Sequence, residues 1–246
     1  MSSQSSNKVV VFDLDETLGY FLEFGVFWDA LLLYVKPAEL LTQEMFNKIL
    51  DLYPEFIRPN IFSVLKYLKR QKIAGLCRNV MIYTNNKGPP EWAHFIKNYI
   101  HDKLEYILFD QIIGAFKVNG QHIEICRTTN DKTKDDFIRC TKLPENIEIC
   151  FIDNDYHPDM DKHDIYYIKL NTYIYALEPD IMINRLLSNR QLKKMVPNNT
   201  EFNRFILSYM RRYHAIYNIE KTPDDYDIDK IVTKQLMVLL QSFFTS

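Results

Sequence analysis

The chain has 246 residues, 47% of them hydrophobic and 25% charged, with 30 Lys and Arg against 32 Asp and Glu. That length buries a real core, as one domain with extensions or at most two small domains. A formal net charge of −2 excludes a global polycation for nucleic acid, and no apolar run approaches the roughly 18 residues of a membrane span.

Residues 1–7 are polar and Ser-rich and are expected to be a disordered tail without a signal peptide. Cys77, Cys126, Cys140 and Cys150 make no C-x-x-C and no zinc spacing, so a reduced, intracellular protein, cytoplasmic or nuclear, is the expectation. The first strand covers about Lys8 to Phe12, an apolar run that reads as buried on both faces.

An insertion follows over 19–56. Its two apolar runs, Phe24 to Leu33 and Leu41 to Leu50, read as helices separated by Pro37, and Pro54 ends the second. It is either a small cap over a site or a packing element against the core. Asn60 is expected to cap a helix whose stripe is Ile61, Val64, Leu65 and Leu68. Asn79 to Thr84 is the next strand. Strand, helix, strand makes a right-handed βαβ unit, so these strands are expected to be parallel neighbours.

Pro89-Pro90 opens a helix with Trp92, Phe95, Ile96, Tyr99 and Ile100 on one stripe. Tyr106 to Phe109 is expected as a short third strand, and Asn119-Gly120 as the turn of a hairpin. Asp135 to Cys140 begins a helix, Ile147 to Ile152 is another buried strand, and Asp164 to Leu170 one more. Beyond Glu178 the pattern is helical, with one face of Phe202, Phe205, Ile206, Tyr209 and Tyr213 and another of Ile228, Ile231, Val232, Leu236, Leu239 and Phe243.

The chemistry concentrates at strand ends. Asp13 and Asp15 stand at i, i+2, so extended backbone points both carboxylates the same way, with Thr17 beyond. A divalent cation or a shared proton is the usual remedy for such repulsion. A helix cap by Asp15 or Thr17 is the plainer alternative. Thr84-Asn85 ends the second strand and Asp153-Asn154 a later one, with Lys132 and Lys134 between them near a helix start. Asp153, Asp155, His157, Asp159, Asp161 and Asp164 fall in an EF-hand-like frame, but Pro158 stands where that turn needs Gly and the flanks are strands, so a calcium loop is rejected.

The apolar strand followed by D-x-D-x-T resembles the first motif of the haloacid-dehalogenase-like phosphotransferases. The fuller string Asp13-Leu14-Asp15-Glu16-Thr17-Leu18 resembles the branch of RNA polymerase II C-terminal-domain phosphatases and nuclear-LIM-interactor-like small phosphatases. Arg58-Pro59 before a helix, and Phe151-Ile152-Asp153-Asn154 with His157-Pro158-Asp159, are similar to segments of that branch.

The resemblance covers about 8–170. It implies an α/β fold with an open parallel sheet in a three-layer, Rossmann-like core. To that core the sequence adds a short helical insertion after the first strand and a helical C-terminal extension. The expected division is a core over 8–177 and an extension over 178–246.

The family chemistry makes Asp13 the nucleophile that becomes an aspartyl-phosphate and Asp15 the general acid and base. Thr84 is then a hydrogen-bond donor to phosphoryl oxygen, with Thr17 and Asn85 at the substrate. Asp13, Asp15, Asp153 and Asn154 are implied to hold Mg²⁺. The charge-neutralising lysine is Lys132 or Lys134, with Lys132 preferred. The implied partner is a phosphorylated protein or peptide, such as the RNA polymerase II C-terminal domain. Nucleotide, polynucleotide-end or metabolite hydrolysis on the same fold is the alternative, and an inactive partner-binding protein a third.

Overall fold

The computed structural model describes residues 6–217 and 221–246, with residues 213–217 described by backbone alone. Most of the tail expected over 1–7, and the Tyr213 side chain, lie outside the described residues. In chain order the elements are β1 (Lys8–Phe12), α1 (Leu22–Tyr34), α2 (Gln43–Leu50), α3 (Ile61–Ile73), β2 (Asn79–Tyr83), α4 (Pro90–Leu104), β3 (Phe109–Ile113), β4 (Lys117–Val118) and β5 (Gln121–His122). They continue as α5 (Lys134–Thr141), β6 (Glu148–Asp153), β7 (Ile165–Lys169), α6 (Pro179–Ser188), α7 (Asn199–Tyr217) and α8 (Pro223–Thr245). The architecture is α/β, compatible with a Rossmann-like three-layer fold.

The chain forms two compact units. One comprises 1–18, 58–173 and 227–246, the other 19–57 and 174–226. This division differs from 8–177 and 178–246: the insertion groups with the segment after 173, and the last helix groups with the sheet.

The first unit is built on a five-stranded sheet in the order β3-β2-β1-β6-β7, with every pairing parallel. β1 is central, and Val9, Val10, Val11 and Phe12 are fully buried, as a continuous apolar strand requires. On one face Val9, Val11, Met81, Tyr83, Ile149 and Phe151 pack with Phe137 of α5. The strand order reverses between β1 and β6. In open α/β sheets that switch point leaves a crevice at the carboxyl ends of the strands.

Three expectations shift. The third strand is Phe109–Ile113 rather than Tyr106 to Phe109. It is an edge strand, so polar Asp110 and Gln111 are tolerated, and Asp110 Oδ2 accepts the Val80 N–H at 2.9 Å where the register slips. Asn60 does stand at the α3 N-cap, but at φ 61 and without a side-chain cap bond. α8 buries Asp229, Thr233, Leu236, Leu240 and Phe243, while Ile228, Ile231 and Leu239 are exposed. Asp229 lies near enough to the buried Arg58 guanidinium for the two charges to interact.

β4 and β5 form the hairpin expected at Asn119-Gly120, both turn residues having positive φ, 49° and 81°. The reduced-cysteine expectation is corrected at two positions. Cys126 and Cys140 are joined by a disulfide, because the chain brings residues 14 apart to a Cα separation of 5.0 Å. Cys77 and Cys150 are free and buried.

The second unit has its own aromatic core. Phe24 of α1 meets Phe46, Tyr53 and Phe56 at 5.4, 6.0 and 5.9 Å between ring centroids. Tyr53 satisfies its hydroxyl by donating to Met182 O at 2.7 Å. Arg185 grips Glu55 through two bonds of 2.8 and 2.7 Å, and Glu23, buried, accepts the Leu177 N–H at 2.8 Å.

Candidate active site

β1 ends at Phe12, and Asp13 N donates to Ile152 O at 2.9 Å, so the first carboxylate leaves the sheet beside β6. The chain then turns sharply. Glu16 has φ 63, a left-handed conformation that costs an ordinary residue about 1–3 kcal/mol. Arg58 holds it there. Its Nε donates to Thr17 O at 2.6 Å, and Nη2 donates to Glu16 O and Asn171 O at 2.6 and 2.8 Å. Arg58 is 1% exposed, and its Nε and Nη2 are committed to these three carbonyls.

Lys132 lies across the crevice. Its Nζ donates to Asp13 Oδ1 at 2.5 Å and to Asp153 Oδ2 at 2.6 Å, and the side chain is 2% exposed. Burial works against its charge, but the two carboxylates outweigh burial and raise its pKa. Asp153 also accepts from His157 Nε2 at 3.2 Å and from the Asp155 N–H at 2.8 Å. Burial pushes Asp153 up, yet His157 and Lys132 bring it below the usual carboxylate range. Asp13 goes the other way, from 3.8 to about 7. Burial is the main cause, and Asp153 and Asp15 add to it against the pull of Lys132. Lysine therefore stays charged, and of its two partners Asp153 is the firm carboxylate.

Asp15 is raised by burial, and its Oδ2 accepts from Asn86 Nδ2 at 2.7 Å. Thr84 is buried at the end of β2. Its Oγ1 accepts the Asn86 N–H at 3.0 Å, which leaves its O–H to donate. Asp13, Asp15, Thr84, Lys132, Asp153 and Asn154 thus share one edge of the sheet.

Other placements differ from expectation. Lys134 turns away and pairs with exposed Asp164, because Thr133 caps α5 and starts a new helical direction between the two lysines. The lysine that meets Asp13 is Lys132 alone of the two. Thr17 is fully buried, and its hydroxyl donates to Asn154 Oδ1 at 2.9 Å and accepts the Asn154 N–H at 3.1 Å. It clasps two loops together rather than facing outward to a substrate. Asn85 gives its side-chain oxygen to Arg127 Nη1 at 2.8 Å, so it too is part of the scaffold.

Four residues were not singled out for the site. Arg127 is buried and ties Gly114 O, Asn130 O and Asp131 O to the end of β2. Asn86 holds Asp15, His157 holds Asp153, and Glu16 brings a further carboxylate, Oε2 lying 3.3 Å from Asn154 Nδ2. Glu16 and His157 lie inside the strings that carry the resemblance, whereas Arg127 and Asn86 carry no signal in a single sequence beyond nearness to a strand end.

The edge is rich in oxygen donors. Asp13, Asp15 and Asp153 feel the Lys132 charge, and Glu16 nearby is raised by burial and then by Asp15 and Asp155. Asn154 adds an amide oxygen. Carboxylate and amide oxygens suit a hard divalent cation and not a thiophilic one. Among the described residues, the group of three acidic, Cys or His ligands converging within 4.8 Å is elsewhere, at Glu124, Cys126 and Cys140, and is a disulfide beside a carboxylate. Among the described residues no helix is long and apolar enough to cross a membrane.

No family model, no curated protein and no solved structure matches the chain.

Proposed function

We propose that the chain is a magnesium-dependent phosphomonoester hydrolase with a haloacid-dehalogenase-like core, acting through an aspartyl-phosphate on phosphoprotein. The observation that carries this reading is the Lys132 ammonium held between Asp13 and Asp153 at the switch point of a parallel sheet.

Attack on a phosphate monoester needs a nucleophile that can approach a dense anion, and charge neutralisation at the transferring group. Asp13 attacks phosphorus and becomes the aspartyl-phosphate. Lys132 neutralises phosphoryl charge, and its anchorage on Asp153 fixes the ammonium in place. Thr84 O–H donates to a phosphoryl oxygen. Asp15, whose carboxyl is raised by burial, protonates the leaving oxygen and then takes a proton from the attacking water. Asn86 orients it at 2.7 Å. Asp13, Asn154 and a main-chain oxygen of the Asp13–Asp15 loop would hold Mg²⁺. When bound, that ion offsets the repulsion between carboxylate and phosphate.

Hydrolysis of a generic aryl phosphate with and without Mg²⁺ tests the proposal. Turnover that depends on the metal and disappears in Asp13→Asn supports it. Turnover that survives Asp13→Asn, or none in the wild type, sinks it.

A further inference from the structure

A cavity of about 120 Å³ opens beside the site within the same unit. Thr84 and Asn86 form its edge, so it is continuous with the phosphoryl position through the side chain that touches Asp15. Most of its remaining wall is apolar: Pro90 and Ala93 from the start of α4, Ile112 from β3, and Val118 and Ile123 from the hairpin segment, with the His94 ring among them. The polar lining is limited, and Glu124 is already engaged, accepting the Gly114 N–H at 3.2 Å. Two large apolar side chains stand exposed at this hairpin, Ile123 at 42% and Ile125 at 89%.

Asp15 is the group that meets the leaving oxygen in the reading above. The alcohol that carries this oxygen therefore emerges next to Asn86 and toward the cavity. The volume holds roughly four water-sized groups, the bulk of a branched aliphatic side chain. Apolar lining from α4, β3 and the hairpin segment, with Ile123 at the exposed rim, thus adjoins Asn86 on the leaving-group side.

We infer that this cavity is a specificity subsite for a phosphopeptide, taking a branched aliphatic side chain within two residues of the phosphorylated one. The inference rests on the phosphatase reading and adds to it the class of residue that accompanies the phosphate.

The test is a phosphoserine peptide series with Leu, Val, Gly or Asp placed in turn at the two positions on either side. It is assayed with wild type, Ala93→Leu, which fills the cavity, and Ile123→Ser, which alters only its exposed rim. A fitted aliphatic group is worth about tenfold or more in discrimination. The wild type should prefer Leu over Gly at one position by about that factor in kcat/KM, and both variants should bring the ratio toward one. Equal kcat/KM across the series, a preference unchanged in both variants, or nucleoside monophosphates hydrolysed ahead of every peptide would each overturn the subsite. In parallel, fluorescence polarisation of the labelled peptides on Asp13→Asn protein reads the subsite without chemistry. A wild type without turnover ends the phosphatase reading, while a Leu preference in Kd keeps the subsite and equal Kd values remove it.

Discussion

Replacing Lys132 with Met keeps most of the apolar stem and removes the ammonium. Two buried carboxylates, Asp13 and Asp153, then lose the cation held at 2.5 and 2.6 Å. Breaking a buried ion pair from one side typically costs about 3–5 kcal/mol, because the remaining charge has no compensation. A chain of this size loses roughly 2–4 °C of melting temperature per kcal/mol, so Lys132→Met should melt on the order of 10 °C lower.

The deficit should depend on pH. Asp13 already sits at about 7 against 3.8 unperturbed, and losing Lys132 removes the strongest influence that lowers it. A carboxyl raised in the folded state loses stability as pH rises from its unfolded toward its folded pKa. The deficit of Lys132→Met is therefore larger at pH 8 than at pH 5. Circular dichroism melts in chelator at both pH values read this, with Lys134→Met as control. Lys134 pairs with the exposed Asp164, and such a pair contributes about 1 kcal/mol or less. Equal melting of wild type and Lys132→Met at pH 8, or a deficit that grows toward pH 5, would refute the argument.

Glu23 is pushed from 4.5 to about 7, chiefly by burial. It opposes folding above about pH 7 by roughly 3 kcal/mol, and that cost vanishes below 4.5. Glu23→Gln should therefore raise the melting temperature at pH 8 and leave it nearly unchanged at pH 4. Replacing Cys126 and Cys140 with Ser opens a loop with a sequence separation of 14. Chain entropy puts the loss at about 3 kcal/mol, read as a lower denaturation midpoint that reductant reproduces in the wild type. An unchanged midpoint would mean that the two sulfurs are not bonded in solution. Arg58→Lys offers one nitrogen where Nε and Nη2 now reach Thr17, Glu16 and Asn171 from two positions. It should cost about 2 kcal/mol in urea denaturation and lower kcat more than it raises KM. Full activity and stability in Arg58→Lys would remove Arg58 from the support of the Asp13–Thr17 loop.

Some of this was legible residue by residue. The run Val9 to Phe12 could only be a strand covered on both faces, and its burial is complete. Asn119-Gly120 demanded positive φ at two successive residues, and the hairpin turns there. The polar ends of β1, β2 and β6 had to meet because parallel strands bring their carboxyl ends to one edge. The apolar period held only in part in α8, which buries Leu236 and Phe243 together with the polar Asp229 and Thr233 and leaves Ile228, Ile231 and Leu239 exposed. It failed at β3 because an edge strand carries polar residues.

The sequence by itself determined the local matters: which segments are strands or helices, the carboxylates at the end of β1, and the order of Asp13, Thr84, lysine and Asp153. These are set by neighbouring residues and the periods of 2 and 3.6. Only the tertiary structure shows that Lys132 and not Lys134 bonds Asp13, since that depends on where a capped helix begins relative to a crevice over a hundred residues away in the chain. It also shows that Thr17 bonds Asn154, that Asn85 bonds Arg127, that Cys126 meets Cys140, and that Asn86 reaches Asp15. Each of these is a meeting of side chains distant in sequence, fixed by packing and charge in three dimensions, and no local pattern encodes it.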